Sequence, residues 1–146
     1  MLEFIPFKKG HLDFFEPSEQ YADLPQIYAE FLDRLGVPVQ AASHMKDGKI
    51  LYISGYYEKL PGNFECVIIP SKHLPDYKFA VIRDIRMWLG IIQKKHNPRR
   101  MQTFGENTKQ SKKWLTLLGF EFEGLLRQYD EDGDKTSWSI IPWQDS

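Results

Sequence analysis

Two clusters of charged residues, together with the histidines and the cysteine, have the residue types that bind ions or phosphate groups. The acidic run Asp130 to Asp134 alternates carboxylates as calcium loops do, but Gly133 stands at its fourth place and no Glu follows at the required spacing. A hairpin turn with solvated charges is the better interpretation. The basic run Lys94 to Arg100 could contact phosphates, or could place favourable cations at a helix carboxyl end. The four histidines are scattered and there is one cysteine, so we predict no metal site.

The overall charge narrows the class of partner. The 146 residues include 19 Lys and Arg against 20 Asp and Glu, a formal net charge of −1. This balance argues against a surface that grips nucleic acid or anionic lipid, and no apolar run is long enough to span a membrane. We therefore expect no nucleic acid and no membrane as partners, and a cytoplasmic protein. The aromatic content of 14% is high, and Tyr56, Tyr57, Phe64 and Trp88 could line a rim for a protein partner, but aromatic side chains more often belong to the core.

Hydrophobic periodicity and turn residues predict one α/β domain over residues 1–146. The Asp47-Gly48 pair between apolar runs indicates a hairpin over Val37 to Tyr57, and Gly119 indicates the end of a helix. The predicted elements are, in order, a strand at Leu2 to Phe7, two helices within His11 to Leu35, the hairpin, the strand FECVIIP, a helix from about Pro75 to His96, a strand at Arg100 to Phe104, a helix at Lys109 to Leu118, and two final strands.

Two segments resemble the GCN5-related N-acetyltransferase (GNAT) superfamily. The stretch SKKWLTLLGFEFEGLLR, Ser111 to Arg127, is similar to the family's short helix that ends on Leu-Gly-Phe and leads into a strand. FECVIIP and the helix after it resemble the central strand and the helix that receives the cofactor. The resemblance implies an α/β (α+β) fold with a mixed, mostly antiparallel sheet of six to seven strands flanked by helices, in the order β-α-α-β-β-β-α-β-α-β-β. Short phage-encoded members with an eroded cofactor motif are also similar.

The resemblance implies acetyl-CoA as cofactor and places its binding residues. Backbone groups of the central strand would polarise the thioester, and the loop after Pro70 would receive the pyrophosphate. Leu74, Asp76 and Lys78 fall on the three small-residue positions of the family motif, and His73 falls on its Arg or Gln. Asp76 is either a first-turn acid of a helix or an acid tolerated inside the cofactor site. The full candidate set is Val67, Ile68, Ile69, Lys72, His73, Leu74, Asp76, Lys78 and Asn107.

The same resemblance suggests where a general base could lie. Glu65 is the first candidate because it neighbours the proposed thioester-polarising backbone, and Glu106 and His44 are further candidates. The family's frequent Tyr proton donor is replaced here by Leu115. We predict an N-acyltransferase-like protein that, if active, acetylates an amine-bearing small molecule or peptide. The alternative is a catalytically silent GNAT-fold binding or virion-associated protein of phage or prophage origin, with a protein partner and homodimerisation both open.

Overall fold

A computed structural model describes residues 2–17, 40–131 and 133–142 of the chain. Seven strands and two α-helices lie in these ranges, with 3-10 turns at Lys9–Asp13 and Leu74–Tyr77. The strands are β1 (Glu3–Pro6), β2 (Gln40–Lys46), β3 (Lys49–Leu60), β4 (Asn63–Pro70), β5 (Arg100–Glu106), β6 (Glu121–Asp130) and β7 (Gly133–Ile140); the helices are α1 (Lys78–His96) and α2 (Lys109–Leu117).

The strands form a single seven-stranded sheet in the order β1-β2-β3-β4-β5-β7-β6. The pairs β1/β2, β2/β3, β5/β7 and β6/β7 are antiparallel, whereas β4 and β5 run parallel. The predicted mixed, mostly antiparallel α/β sheet is therefore confirmed. The predicted helices within His11 to Leu35 fall mostly outside the described residues, which show a 3-10 turn at Lys9–Asp13.

Turn chemistry explains where the described elements begin and end. Asp47 and Gly48 have φ values of 53° and 74°, the left-handed conformations that a two-residue hairpin loop requires. Gly119, at φ 102°, follows α2 and returns the chain to Phe120, which is buried. Thr108 caps the other end of α2 by accepting a hydrogen bond from the backbone N–H of Ser111 at 3.1 Å.

The chain divides into two compact units. The first comprises Met1–Tyr57 and Val67–Asp84, and the second comprises Glu58–Cys66 and Ile85–Ser146. A cluster of buried apolar side chains forms the core of the first unit. Its members are Phe15, Ile50, Ile53 and Ile69, with Phe7, Met45 and Val67 packed against them.

The second unit has a core of its own around β5 and α2. Met101 is fully buried, and Leu115, Leu118, Phe120 and Trp138 are each no more than 5% exposed. Close packing also restricts Gly105, where an added Cβ would lie 2.5 Å from the Leu115 Cδ1 atom. The lack of a side chain at Gly105 therefore lets Leu115 of α2 pack closely against β5.

Strand β6 ends the sheet and is irregular. Its pairing with β7 shifts register between Phe122 and Gly124 and again between Leu126 and Asp130, and Gln128 has a φ of 50°. The first shift has one extra residue on β6, as in a β-bulge, and the second is a longer irregularity; both interrupt the ladder. Phe122 and Tyr129 are 51% and 53% exposed on this strand.

The buried stripe of α1 differs from the one that its apolar residues predict. Apolar residues recur at the helical period from Phe79 onward, which predicts a buried Phe79, but its side chain is 81% exposed. The buried positions are Val81, Asp84, Ile85, Leu89 and Ile92. These positions follow the helical period, and one of them is the acidic residue Asp84, which a search for apolar residues alone does not include. In the described chain, no helix is both long and apolar enough to cross a membrane.

Candidate functional site

The predicted cofactor loop lies in the first unit, between the end of β4 and the start of α1. Strand β4 ends at Pro70, a 3-10 turn covers Leu74–Tyr77, and α1 follows directly. Leu74 is buried, so its side chain anchors the turn to the core. Pro75 occupies a first-turn position, where its missing N–H would have no helical partner.

The backbone donors of this loop are already used within the chain. The Ser71 N–H donates to the Leu51 carbonyl at 2.9 Å, and the Lys72 N–H donates to the Glu16 carbonyl at 2.8 Å. The His73 N–H donates to the hydroxyl of Ser71 at 3.2 Å. Turn hydrogen bonds satisfy the next donors, from Leu74 to Ser71 and from Asp76 to His73. Pro75 has no N–H, so every backbone donor between Ser71 and Asp76 has an acceptor inside the chain.

The two basic side chains of the loop are held by a carboxylate from the N-terminal segment. The Lys72 ammonium lies 2.6 Å from one oxygen of Glu16, and the His73 Nε2 atom lies 3.1 Å from the other. A β-bridge between Pro17 and Ser71 aligns the two segments. The hydrogen bond from Lys72, reinforced by His73, lowers the pKa of Glu16 to about 2 from an ordinary 4.5.

The remaining charges of the loop include acids as well as a cation. Asp76 and Lys78 are exposed, and the Tyr77 hydroxyl donates to Asp47 at 3.0 Å. This hydrogen bond is the main cause of a raised pKa for Tyr77, with the charge of Asp76 a minor contributor. The two positive charges of Lys72 and Lys78 are thus matched in number by the negative charges of Glu16 and Asp76, and Asp47 adds a third acid.

These features test whether the loop suits the pyrophosphate of a coenzyme. Such a group binds where several backbone N–H groups converge and the nearby field is positive. Here the donors from Ser71 to Asp76 are hydrogen-bonded internally, and the lysines of the loop are matched by acids. The stretch from Ser71 to Asp76 therefore offers no uncommitted backbone donor to a coenzyme pyrophosphate.

The first candidate base, Glu65, lies in the second unit and is 8% exposed. The Gln102 side-chain amide donates to its Oε1 atom at 3.2 Å, and the Lys59 ammonium lies 3.5 Å away. Arg100 donates to the Gln102 oxygen at 2.9 Å and forms a two-pronged ion pair with Glu123. The Glu65 carboxylate is therefore held inside a polar chain across the sheet.

The neighbouring thiol offers no alternative nucleophile. Cys66 is buried, and its burial, with a smaller effect of the Glu65 charge, raises the pKa of the thiol to about 12. A thiol in this environment stays protonated at neutral pH, and the thiolate is the reactive form.

The second candidate base, Glu106, is engaged by a lysine. The Lys135 ammonium lies 2.8 Å and 3.0 Å from its two oxygens and 3.6 Å from an oxygen of Asp130. Asn107 follows Glu106 and is exposed, immediately before the Thr108 cap of α2. Glu65, Glu106 and Asn107 belong to the second unit, whereas the loop candidates belong to the first.

His44 is buried in a network of hydrogen-bonded side chains that the sequence analysis missed. Its Nδ1 atom lies 2.8 Å from an Asp84 oxygen, and its Nε2 atom lies 2.8 Å from the Ser54 hydroxyl. Tyr52 stacks on the imidazole at 3.9 Å and donates to the same Asp84 oxygen at 2.6 Å. Burial and this hydrogen bond both raise the pKa of Tyr52.

The order Ser54, His44, Asp84 is that of the nucleophile, base and acid in serine hydrolases. Ser54 and His44 are each only 1% exposed, so no substrate reaches the hydroxyl. These hydrogen-bonded side chains therefore form a structural network within the first unit. A sequence signal for it exists, because Asp84 shares the helical period of Val81 and Ile85 on α1.

Comparison with solved structures identifies the fold, which is that of the GNAT N-acetyltransferases. A GNAT-family acetyltransferase from Bacillus anthracis superposes with a TM-score of 0.69 at 11% identity, covering 96% of this chain and 94% of that one. A variant of spermidine N-acetyltransferase from Vibrio cholerae gives a TM-score of 0.67 at 16% identity, covering 96% and 95%. A ribosomal-protein alpha-N-acetyltransferase in complex with coenzyme A gives 0.69 at 10% identity, covering 96% and 93%. No family model and no curated protein matches the sequence.

Proposed function

We propose that this protein uses the GNAT fold as a binding scaffold and does not transfer acetyl groups from acetyl-CoA. The observation that carries this proposal is the cofactor loop, in which each backbone donor from Ser71 to Asp76 already has an acceptor inside the chain. Binding a pyrophosphate there would require these hydrogen bonds to break, at a net cost of roughly 0.5–1.5 kcal/mol each. The fold alone does not supply the reaction.

A protein is the partner class that the described surface favours. Phe4 on β1 is 59% exposed, and Phe122 and Tyr129 on β6 are each more than half exposed. Strands β1 and β6 are the two ends of the sheet. Exposed aromatic side chains on the two outer strands of the described sheet supply the apolar area that protein interfaces use.

Calorimetric titration of the purified chain with acetyl-CoA tests the proposal. We expect a dissociation constant weaker than about 1 mM, since little binding free energy remains after the loop is opened. A thiol-release assay with spermidine and with a peptide bearing a free α-amino group should show no turnover. Micromolar affinity together with thiol release would overturn the proposal.

An acetyl-CoA-dependent N-acetyltransferase is the second candidate, favoured by the fold match along 96% of the chain, including the coenzyme A complex. In that case Glu65 would be the base that accepts the proton of the amine, because it lies on β4, the strand whose backbone would polarise the thioester. Thiol release that is present in the wild type and lost in Glu65→Gln would favour this candidate over a binding scaffold.

A further inference from the structure

We propose that Lys72 and His73 form an anion site for a phosphate-class ligand, and that Glu16 occupies this site from within the chain. The inference goes beyond the proposed function, because it predicts that removing one charge, 57 positions from His73 in the sequence, strengthens the binding of phosphate groups at this loop. It rests on contacts within the first unit only.

The geometry of the site is that of a bound carboxylate. The two oxygens of Glu16 go to different partners, one to the Lys72 ammonium and the other to the His73 imidazole. An ammonium and a ring N–H directed at two oxygens of one anion are also the contacts that a phosphate group accepts. The site thus recognises an oxyanion with two adjacent oxygens, and Glu16 supplies one.

Backbone contacts deliver this carboxylate to the site. The Lys72 N–H donates to the Glu16 carbonyl at 2.8 Å, and Pro17 bridges to Ser71. The segment is therefore tied at the residue that carries the carboxylate and at the one after it. Because the carboxylate belongs to the same chain, it competes with any free anion at a high effective concentration.

The ion pairs of Glu16 with Lys72 and His73 are weak enough for a single substitution to open the site. The side chains of Glu16 and Lys72 are 51% and 55% exposed, and ion pairs at such exposure are strongly screened by solvent. His73 is more enclosed, at 19% exposure. Removing the Glu16 charge takes away the carboxylate that engages both Lys72 and His73.

The test compares pyrophosphate binding by the wild type and Glu16→Gln, which keeps the length of the side chain and removes its charge. We expect Glu16→Gln to bind inorganic pyrophosphate about tenfold or more tightly than the wild type in calorimetric titration. Glu16→Asp, which keeps the charge, should resemble the wild type. Glu3→Gln is a matched control, since it removes an exposed carboxylate of β1.

A double variant shows whether the gain arises at this site. Adding Lys72→Ala to Glu16→Gln should abolish the increase in pyrophosphate affinity, while circular dichroism confirms that each variant is folded. Equal affinity of the wild type and Glu16→Gln, or a gain that persists without Lys72, would overturn the inference. Acetyl-CoA turnover by the wild type would contradict the proposed function instead, so the two failures are distinguishable.

Discussion

At the scale of single residues, several buried polar side chains of the described residues share specific hydrogen bonds, although the buried Oδ1 atom of Asn63 has no partner among them. Asp84 is the main example, because one of its oxygens serves both His44 and Tyr52 inside the first unit. A carboxylate so buried is costly unless its lone pairs are used. Its identity should therefore affect stability more than that of its exposed neighbours on the same helix.

We predict that Asp84→Ala lowers the free energy of unfolding by about 3–5 kcal/mol, since it removes the acceptor that the buried His44 and Tyr52 side chains share. Urea denaturation followed by tryptophan fluorescence measures the change. Arg83→Ala is the matched control, because Arg83 is the adjacent residue of α1 and is exposed. Its effect should stay within about 0.5 kcal/mol of zero. Equal losses in both variants would show that the network contributes nothing specific.

Residue types alone predicted some of the candidate site and missed the contact that defines it. The loop candidates Lys72, His73, Leu74, Asp76 and Lys78 were placed by a motif alignment, and they do lie on one loop between β4 and α1. Glu16 was not among the candidates. It is 57 positions from His73, and no local periodicity encodes a contact at that separation.

At the scale of elements, local chemistry was sufficient to predict most of the described strands and helices. Asp47-Gly48 fixed the hairpin, Gly119 fixed the end of α2, and the helix predicted from Pro75 begins as a 3-10 turn at Leu74. These signals depend on residues close together in the chain, so they can be recognised in the sequence alone. The face that α1 buries depends on its tertiary neighbours, and for that reason Phe79 was placed wrongly.

The contact between α2 and β5 gives a prediction at this scale. Gly105→Ala should reduce stability by about 1–3 kcal/mol, because its new Cβ would lie 2.5 Å from the Leu115 Cδ1 atom. Combining it with Leu115→Ala should cost less than the sum of the two single changes. A double-mutant cycle based on urea midpoints measures this coupling. Strict additivity would mean that the two residues do not meet.

At the scale of the whole molecule, the near-zero net charge of −1 conceals local pairing that depends on pH. The ion pair with Lys72 lowers the pKa of Glu16 to about 2, and the ion pair with Arg100 lowers the pKa of Glu123. A carboxylate whose pKa is lower in the folded state binds its proton less readily there than in the unfolded chain. The stability it contributes is present above its unfolded pKa and is lost as pH falls through the folded value.

We therefore predict that the urea midpoint of the wild type falls as the pH is lowered from about 5 to about 2. The decrease should be smaller in Glu16→Gln and in Glu123→Gln, because each removes one of the groups that take up a proton. Glu3→Gln again serves as the control. Identical pH profiles for all four proteins would show that neither ion pair contributes to stability.

The irregular pairing of β6 has a consequence for how the protein behaves at high concentration. A long, exposed outer strand that carries Phe122 and Tyr129 would normally template aggregation by pairing with a neighbouring molecule. Two interruptions of its pairing with β7 divide the strand into short regular stretches, and Gln128 has a left-handed φ of 50° within the second interruption. An incoming strand would find only a few residues in register, so these interruptions protect this edge from fibre-like stacking and leave its aromatic side chains exposed.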